Sequence, residues 1–136
     1  MHHTISVLVV NQSGVLSRIS GLFSGRGFNI ESLNVAETND SGISRMTIVT
    51  RGDDKKIEQV TKQLNKLVDV IKVIDLTEEN FVDRELILVK MNAEARVREE
   101  ILRIVDIFRA KVIDVNPDSY TVEITGDEGK TKGFLD

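Results

Sequence analysis

Two asparagines, Asn11 and Asn29, stand in glycine-containing turns near the start of this 136-residue sequence. The first turn, NQSG, leads into a segment with helical apolar spacing, and the first N–H groups of such a helix can bind a carboxylate. Gly14 lets a ligand approach the backbone closely, and the Asn11 amide both donates and accepts hydrogen bonds. Together they could hold a small molecule that carries an ammonium and a carboxylate group. The alternative is that asparagine and glycine only shape the turn.

The second turn, GFNI at residues 27–30, resembles a helix end followed by a strand. The helix between the two turns has about 11 residues and spans roughly 16 Å, so Asn11 and Asn29 of one chain are expected at opposite ends of the sheet. In the predicted topology the second strand is a sheet edge, and a two-fold dimer that pairs this edge with itself reverses one copy. We therefore expect Asn29 of one copy to approach Asn11 of the other, which gives two equivalent small-ligand sites across the dimer interface.

Catalytic and metal-binding side chains are scarce. The sequence has no cysteine, which excludes disulfides, thiolate metal sites and cysteine nucleophiles. The only histidines, His2 and His3, are adjacent and point to opposite sides of an extended chain. We expect them to form a solvated terminus or the remnant of a tag rather than a metal site. No pair of acidic side chains is placed for acid–base catalysis.

Composition and charge restrict the class of partner. The net charge of −4 argues against a general nucleic-acid or anionic-membrane surface, and five Phe, one Tyr and no Trp leave few rings for base stacking. No apolar run approaches the roughly 20 residues that a membrane span needs. The N-terminus enters a strand-like run directly, unlike a signal peptide. We expect a cytoplasmic protein that binds neither nucleic acid nor membranes.

The hydrophobic pattern predicts an α+β fold, with a first ferredoxin-like unit over residues 1–76. We expect Ser13 to cap the first helix and Gly25 or Gly27 to end it. The helices are expected on one face of an antiparallel sheet, and the inward face of the first helix is predicted to carry five apolar residues. The predicted order is strand 4–10, helix 14–24, strand 29–38, strand 43–50, a helix opened by Asp53 and Asp54, and strand 69–76; the five inward residues are Val15, Leu16, Ile19, Leu22 and Phe23.

The same order begins again after a polar connector at 77–84, which predicts a second ferredoxin-like unit over residues 85–136. Its predicted elements are strand 85–91, helix 94–109, strand 110–115 and strand 119–125. The stretch GDEGK resembles the entry to a final helix, but we expect this unit to lack its last helix and strand. We expect a truncated chain or completion by a partner. Strands 4–10 and 85–91 are apolar on both faces, so we expect a second domain, a second subunit or a larger partner to bury their helix-free faces. The alternative is a single larger core.

The stretch NQSGVLSRISGLFSGRGFNIESL resembles a specific family, the regulatory small subunits of acetohydroxyacid synthase, also called acetolactate synthase. The first half is similar to ACT domains, the amino-acid-sensing version of the ferredoxin-like fold. Further runs that are similar to this family are SRMTIVT, KQLNKLVDVIKVIDL, RELILVKM, DIFRAKVIDV and SYTVEITG. The resemblance therefore extends over essentially the whole chain.

The resemblance implies a non-catalytic subunit that activates a separate catalytic large subunit and confers feedback inhibition by valine in branched-chain amino-acid biosynthesis. Thiamine diphosphate, magnesium and FAD would belong to the catalytic partner, with no cofactor in this subunit. The family's effector sites lie between two ACT domains of a homodimer. They map here onto Asn11, onto Gly14 with the backbone of Val15 and Leu16, and onto Asn29 and Ile30 of the second chain.

Three other functions can be weighed against this one. The first is a stand-alone ACT-type amino-acid sensor that regulates another enzyme. The second, an RNA-binding domain of the same topology, would need aromatic residues on its central strands, which ISVLVV and SRMTIVT lack. The third, a small enzyme, lacks a catalytic constellation. Which branched-chain amino acid binds best is not decided, because one methylene changes affinity by only about 1–3 kcal/mol; nor is the surface that activates the large subunit.

Overall fold

The computed structural model describes residues 2–77 and 80–135, so residues 78 and 79 of the predicted connector lie outside the described residues. The chain forms two compact units that divide between Phe81 and Val82. Each unit has an antiparallel sheet and two helices, which confirms the predicted α+β class. The elements are β1 (His2–Val10), α1 (Val15–Gly25), β2 (Ile30–Glu37), β3 (Ile43–Arg51), α2 (Asp54–Asn65), β4 (Val70–Asp75), β5 (Glu85–Asn92), α3 (Arg98–Ile107), β6 (Lys111–Val115), β7 (Ser119–Gly126) and α4 (Glu128–Leu135).

The first sheet has the strand order β2-β3-β1-β4, so β2 is an edge strand as predicted. The register pairs Val10 with Ile43 and Ile30 with Thr50. The end of β1 and the start of β2 therefore lie at opposite ends of β3. This arrangement separates the two asparagine turns within one chain, as the sequence predicts.

The core of the first unit lies between the sheet and its two helices. Alternate β1 residues face the helices, and each helix contributes one apolar stripe. Leu16 does not belong to that stripe: its side chain is 46% exposed, so the prediction of an inward Leu16 is wrong. A helix turns about 100° per residue, which carries Leu16 away from the direction that buries its neighbour. The buried residues are Ile5, Val7 and Val9 of β1, Val15, Ile19 and Phe23 of α1, Met46 and Ile48 of β3, and Ile57, Val60 and Leu64 of α2, joined by Phe28.

Helix α1 ends in a glycine-dependent turn. Gly27 has a φ of +77°, and its N–H donates to the carbonyl of Ser24 at 3.1 Å. The N–H of Phe28 donates to the carbonyl of Phe23 at 3.0 Å, and the two rings meet edge to face at 6.2 Å. These two bonds with a left-handed residue are the Schellman arrangement, which satisfies the last helix carbonyls. Of the two predicted helix-ending glycines, Gly27 is therefore the one that reverses the chain.

The N-terminus is part of the sheet, so the prediction of a solvated terminus is wrong for His3, whereas the His2 side chain is exposed as expected. Strand β3 extends to Arg51, which pairs with His2 and places a guanidinium nitrogen 3.1 Å from the His2 Nε2 atom. His3 faces the core and is 3% exposed. Its Nδ1–H donates to Asp75 at 3.1 Å, and its Nε2 lies 3.5 Å from a carboxylate oxygen of Asp54. Strand pairing thus buries His3, although its position near the N-terminus predicts exposure to solvent.

The second unit has the strand order β5-β7-β6. Helix α4 follows β7, so the expected absence of the final helix is wrong; no strand follows it in the described residues. The Asp127 side chain accepts a hydrogen bond from the Lys130 N–H at 2.8 Å, as a helix cap does. The ring of Phe134 packs edge to face on Phe108 at 5.4 Å, which attaches the helix to the core. The buried core residues are Ala93, Val105, Tyr120, Val122, Ile124 and Phe134.

Helix α3 is shorter than the predicted 94–109, because residues 94–97 form a turn. The Arg98 side chain holds this turn with a 2.8 Å hydrogen bond from its Nε to the carbonyl of Ala93. On the helix-free face of the same unit, Leu86 and Leu88 of β5 are 61% and 59% exposed. The burial expected for that face is thus not provided by the unit itself.

Replacement of Gly27 by alanine should destabilise the first unit, because an L-residue at φ +77° costs roughly 1–2 kcal/mol. Gly21 provides a matched control: it lies inside α1, and a Cβ there would have no neighbour within 4 Å. Gly21→Ala should stabilise by roughly 0.5–1 kcal/mol. Urea unfolding at fixed protein concentration measures both changes, and equal effects of the two substitutions would contradict the assigned helix end.

The Asp75 carboxyl should make stability depend on acid pH. Partial burial pushes the pKa of Asp75 upward, but hydrogen bonds from the Thr77 hydroxyl and N–H and from His3 outweigh it, so this pKa lies below its usual value. A depressed pKa in the folded state contributes stability that is present above the unfolded-state pKa, about 3.9, and is lost as the pH falls through the folded value. Asp75→Asn should flatten the fall of unfolding free energy below about pH 4.

Thr77→Val tests the cause, because it removes the hydroxyl that donates to Asp75 at 2.6 Å but keeps the backbone donor. It should flatten the same acid dependence by a smaller amount. Urea unfolding at a series of pH values from 7 downward gives the unfolding free energies of the wild type, Asp75→Asn and Thr77→Val. If the unfolding free energies of the wild type and Asp75→Asn fall equally steeply with pH, Asp75 is not the source of the acid dependence.

Candidate functional site

The first turn is tied to the hairpin that joins β2 and β3. The Asn11 N–H donates to the carbonyl of Gly42 at 2.9 Å. Its side-chain amide donates to the carbonyl of Ser41 at 2.9 Å and to a carboxylate oxygen of Glu37 at 3.2 Å. In the part of the chain that the structure describes, no group donates to the Asn11 amide oxygen. That oxygen, beside the Glu37 carboxylate, is an exposed acceptor pair suited to an ammonium group.

The N-terminus of α1 has no side-chain cap. Gly14 occupies the cap position with a φ of +87°, so the prediction that Ser13 caps the helix is wrong. Because Gly14 itself makes the turn, Ser13 stands one residue outside the helix. The first turn of α1 contains no acidic residue, and within residues 2–77 and 80–135 no group accepts from the N–H of Leu16 or Ser17. These N–H groups are available to an anion.

Arg18 adds a positive charge to this turn. Its Nη1 lies 3.1 Å from the position that a Cβ on Gly14 would occupy, and its Nε donates to a carboxylate oxygen of Asp69 at 2.9 Å. A cation is unfavourable at a helix N-terminus, and here the Asp69 carboxylate offsets it. Neither Arg18 nor Glu37 is predicted from the sequence as a site residue. The spacing of four residues between Gly14 and Arg18 could have indicated the first, whereas Glu37 depends on hairpin register.

The remaining predicted site residues fall into two groups. Val15 is buried in the core, so only its backbone can face a ligand, whereas the Leu16 side chain is exposed beside the turn. Asn29 lies at the other end of the sheet, where its carbonyl accepts from the Thr50 hydroxyl at 2.8 Å. The half-buried Ile30 follows it at the start of β2. One chain therefore brings Asn11, Gly14, Val15 and Leu16 together, but not Asn29 and Ile30.

Strand β2 connects these two groups. In the described residues it pairs with β3 alone, so its other edge has no strand partner. Two apolar side chains on this edge strand, Leu33 and Val35, are 40% and 43% exposed. Glu37, which contacts Asn11, is the last residue of β2, and Ile30 is the first. An open edge thus runs from one predicted group to the other.

The described residues contain no group of three or more histidine and acidic side chains placed to hold a metal ion. No described helix combines the length and apolar character needed to cross a membrane.

Comparisons with known proteins cover both units. A family model described as an AHAS small subunit-like ACT domain matches residues 5–72, and one described as the small subunit of acetolactate synthase matches residues 84–136. The chain is 54% identical to the probable acetolactate synthase small subunit of Archaeoglobus fulgidus, over 100% of this chain and 85% of the relative. It is 54% identical to the Aquifex aeolicus acetolactate synthase small subunit, over 98% and 70%. The crystal structure of the acetolactate synthase small subunit from Thermotoga maritima matches with a TM-score of 0.91 and 43% identity, over 99% of this chain and 84% of that one.

Gly14→Ala should strain the first turn in two ways, through the positive φ and through the contact with Arg18. We expect a loss of roughly 1–2 kcal/mol in unfolding free energy from the left-handed conformation. In an Arg18→Ala background the loss should be smaller, because the Cβ no longer meets the guanidinium. Urea unfolding of the four proteins of this double-mutant cycle measures the coupling. Strictly additive effects of Gly14→Ala and Arg18→Ala on the unfolding free energy would show that the Arg18 guanidinium does not crowd a side chain at position 14.

Proposed function

This chain belongs to the family of acetolactate synthase small subunits, the regulatory subunits of that enzyme, and we propose that it activates a catalytic large subunit and confers feedback inhibition by valine. The observation that carries the valine site is the contact of Asn11 with Glu37 at the end of the open β2 edge. The proposal includes a cytoplasmic location and a homodimer formed through the first unit, the ACT domain. Thiamine diphosphate, magnesium and FAD are assigned to the catalytic partner.

The open edge of β2 supports the proposed dimer. Antiparallel pairing of two β2 strands about their middle brings Ile30 of one copy opposite Glu37 of the other. Asn29, which precedes Ile30, then lies near the Asn11 turn of the other copy. The same pairing covers Leu33 and Val35 and satisfies the backbone groups of the edge. Two-fold symmetry gives two identical sites.

Each part of valine has a partner of matching chemistry in this site. The ammonium group meets the Asn11 amide oxygen and the Glu37 carboxylate. The carboxylate meets the open N–H groups at the start of α1, with Arg18 close by. The isopropyl group contacts the exposed Leu16 and Ile30 of the second copy. Because each site is built from both copies, valine binding is coupled to the dimer arrangement.

Feedback inhibition requires that valine bind two states of the holoenzyme unequally, since a ligand with equal affinity for both shifts nothing. Typical coupling free energies of 1–3 kcal/mol change the partner equilibrium by about 5–150-fold. A dimer in which valine bridges the two copies can provide such a difference. If the two copies of the dimer move relative to each other, the contacts of both copies with valine change together.

The valine site can be tested by isothermal titration calorimetry on the wild type and Asn11→Ala. We expect the substitution to weaken valine binding by about tenfold or more, because it removes a hydrogen bond to a charged group. Asn39→Ala is the matched control: Asn39 is an exposed asparagine of the same hairpin that makes no side-chain hydrogen bond in the described residues. Light scattering should show dimers for all three proteins.

The regulatory role is tested with the catalytic large subunit of the same organism. We expect the wild type to co-purify with it, to raise its activity and to make that activity sensitive to valine. Asn11→Ala should still activate the large subunit but reduce the valine sensitivity. Valine binding without any effect on the large subunit would favour a stand-alone amino-acid sensor. Equal valine binding by the wild type and Asn11→Ala would move the effector site elsewhere.

A further inference from the structure

A groove lined by residues with polar or charged side chains lies along α2, on residues that the valine site does not use. It has a volume of about 450 Å³. Three of its lining side chains are cationic, three are amides and none is acidic. They are Arg26 at the end of α1 and Gln59, Lys62, Gln63, Asn65 and Lys66 of α2 and its C-terminus.

The cations in this groove are largely uncommitted. Arg18 and Arg51 of the same unit are held by Asp69 and Glu31. Arg26 and Lys66 make no ion pair or side-chain hydrogen bond with any described residue. The same holds for Lys55, Lys56 and Lys72, which lie outside the groove. Lys62 meets only the exposed Glu58, at 3.3 Å.

The spacing of the groove residues forms a continuous stripe. Gln59, Lys62, Gln63 and Lys66 stand at i, i+3, i+4 and i+7, so they occupy one side of α2 over a length of about 10 Å. Cations at helix C-termini offset the helix dipole, and this accounts for Arg26 at the end of α1 and for Lys62 and Lys66 at the end of α2. It does not account for Gln59 and Gln63, whose amides make no side-chain hydrogen bond with any described residue. The stripe offers a row of donors rather than a single converging site.

We propose that this groove docks an acidic surface of the catalytic large subunit, an inference that rests on the proposed function. The chain as a whole carries a charge of −4, so a patch without a carboxylate among its lining residues stands out from its surroundings. A small anion is best held by donors that converge on one point, whereas donors spread over two helical turns fit carboxylates on a protein surface. Such charge complementarity mainly sets association rate and partner choice.

The test uses the full chain with the large subunit of the same organism. Arg26, Lys62 and Lys66 are all changed to glutamate, and the matched control changes Lys55, Lys56 and Lys72, three exposed lysines of the same unit, in the same way. We expect the groove variant to bind the large subunit at least about tenfold more weakly and to lose the salt dependence of association. The control should change by less than about threefold. Valine binding and the dimer should persist in both.

A milder set, Arg26→Gln, Lys62→Gln and Lys66→Gln, keeps good helix formers and removes only the charges, so it guards against misfolding. It should show an intermediate loss of affinity. Equal affinities of groove and control variants would overturn the docking surface. Inorganic triphosphate that binds the wild type but not the groove variant, with unchanged subunit affinity, would assign the groove to a small anion and also overturn it. If the wild type itself neither binds nor activates the large subunit, the proposed function fails instead.

Discussion

An edge strand cannot complete its backbone hydrogen bonds within its own sheet, and the candidate site of this protein is organised along such a strand. The outer N–H and C=O groups of β2 need hydrogen bonds to water or to another chain, whereas the exposed Leu33 and Val35 are stabilised only by apolar cover. Glu37 at one end of β2 contacts Asn11, and Asn29 precedes the other end. The two proposed half-sites thus lie at the two ends of one open sheet edge.

Helix α1 lies between the two proposed half-sites in the chain, and its two ends differ in how their backbone groups are satisfied. Gly14 begins it in a left-handed conformation without a side-chain cap, whereas Gly27 ends it with two backbone hydrogen bonds. The N-terminal N–H groups are therefore left open while the last carbonyls are satisfied. The Arg18 side chain lies beside the N-terminus of α1, and the Asp69 carboxylate offsets its positive charge. The charge at this turn therefore depends on a contact between residues far apart in the sequence.

Apolar spacing predicts the strands and helices of both units, because burying one face of an element leaves its period in the sequence. The errors occur where something other than that period decides a position. Sequence spacing assigns Leu16 to the core, but the rotation of α1 exposes it. Terminal position assigns His3 to solvent, but ladder pairing buries it beside Asp75. The apolar pattern does not predict the final helix α4, which is capped by Asp127 and held on the core by the contact of Phe134 with Phe108.

The sequence by itself determined the order of the elements, the two asparagine turns, the edge position of β2 and the family, because these depend on residues close together in the chain or on the extended motif. Only the tertiary structure decided that Asn11 meets Glu37, 26 residues away, and that Arg18 meets Asp69, 51 residues away. Both contacts depend on strand register and on how α1 packs on the sheet. A one-residue change in register turns each side chain to the other face, and no local period encodes which pairing will form.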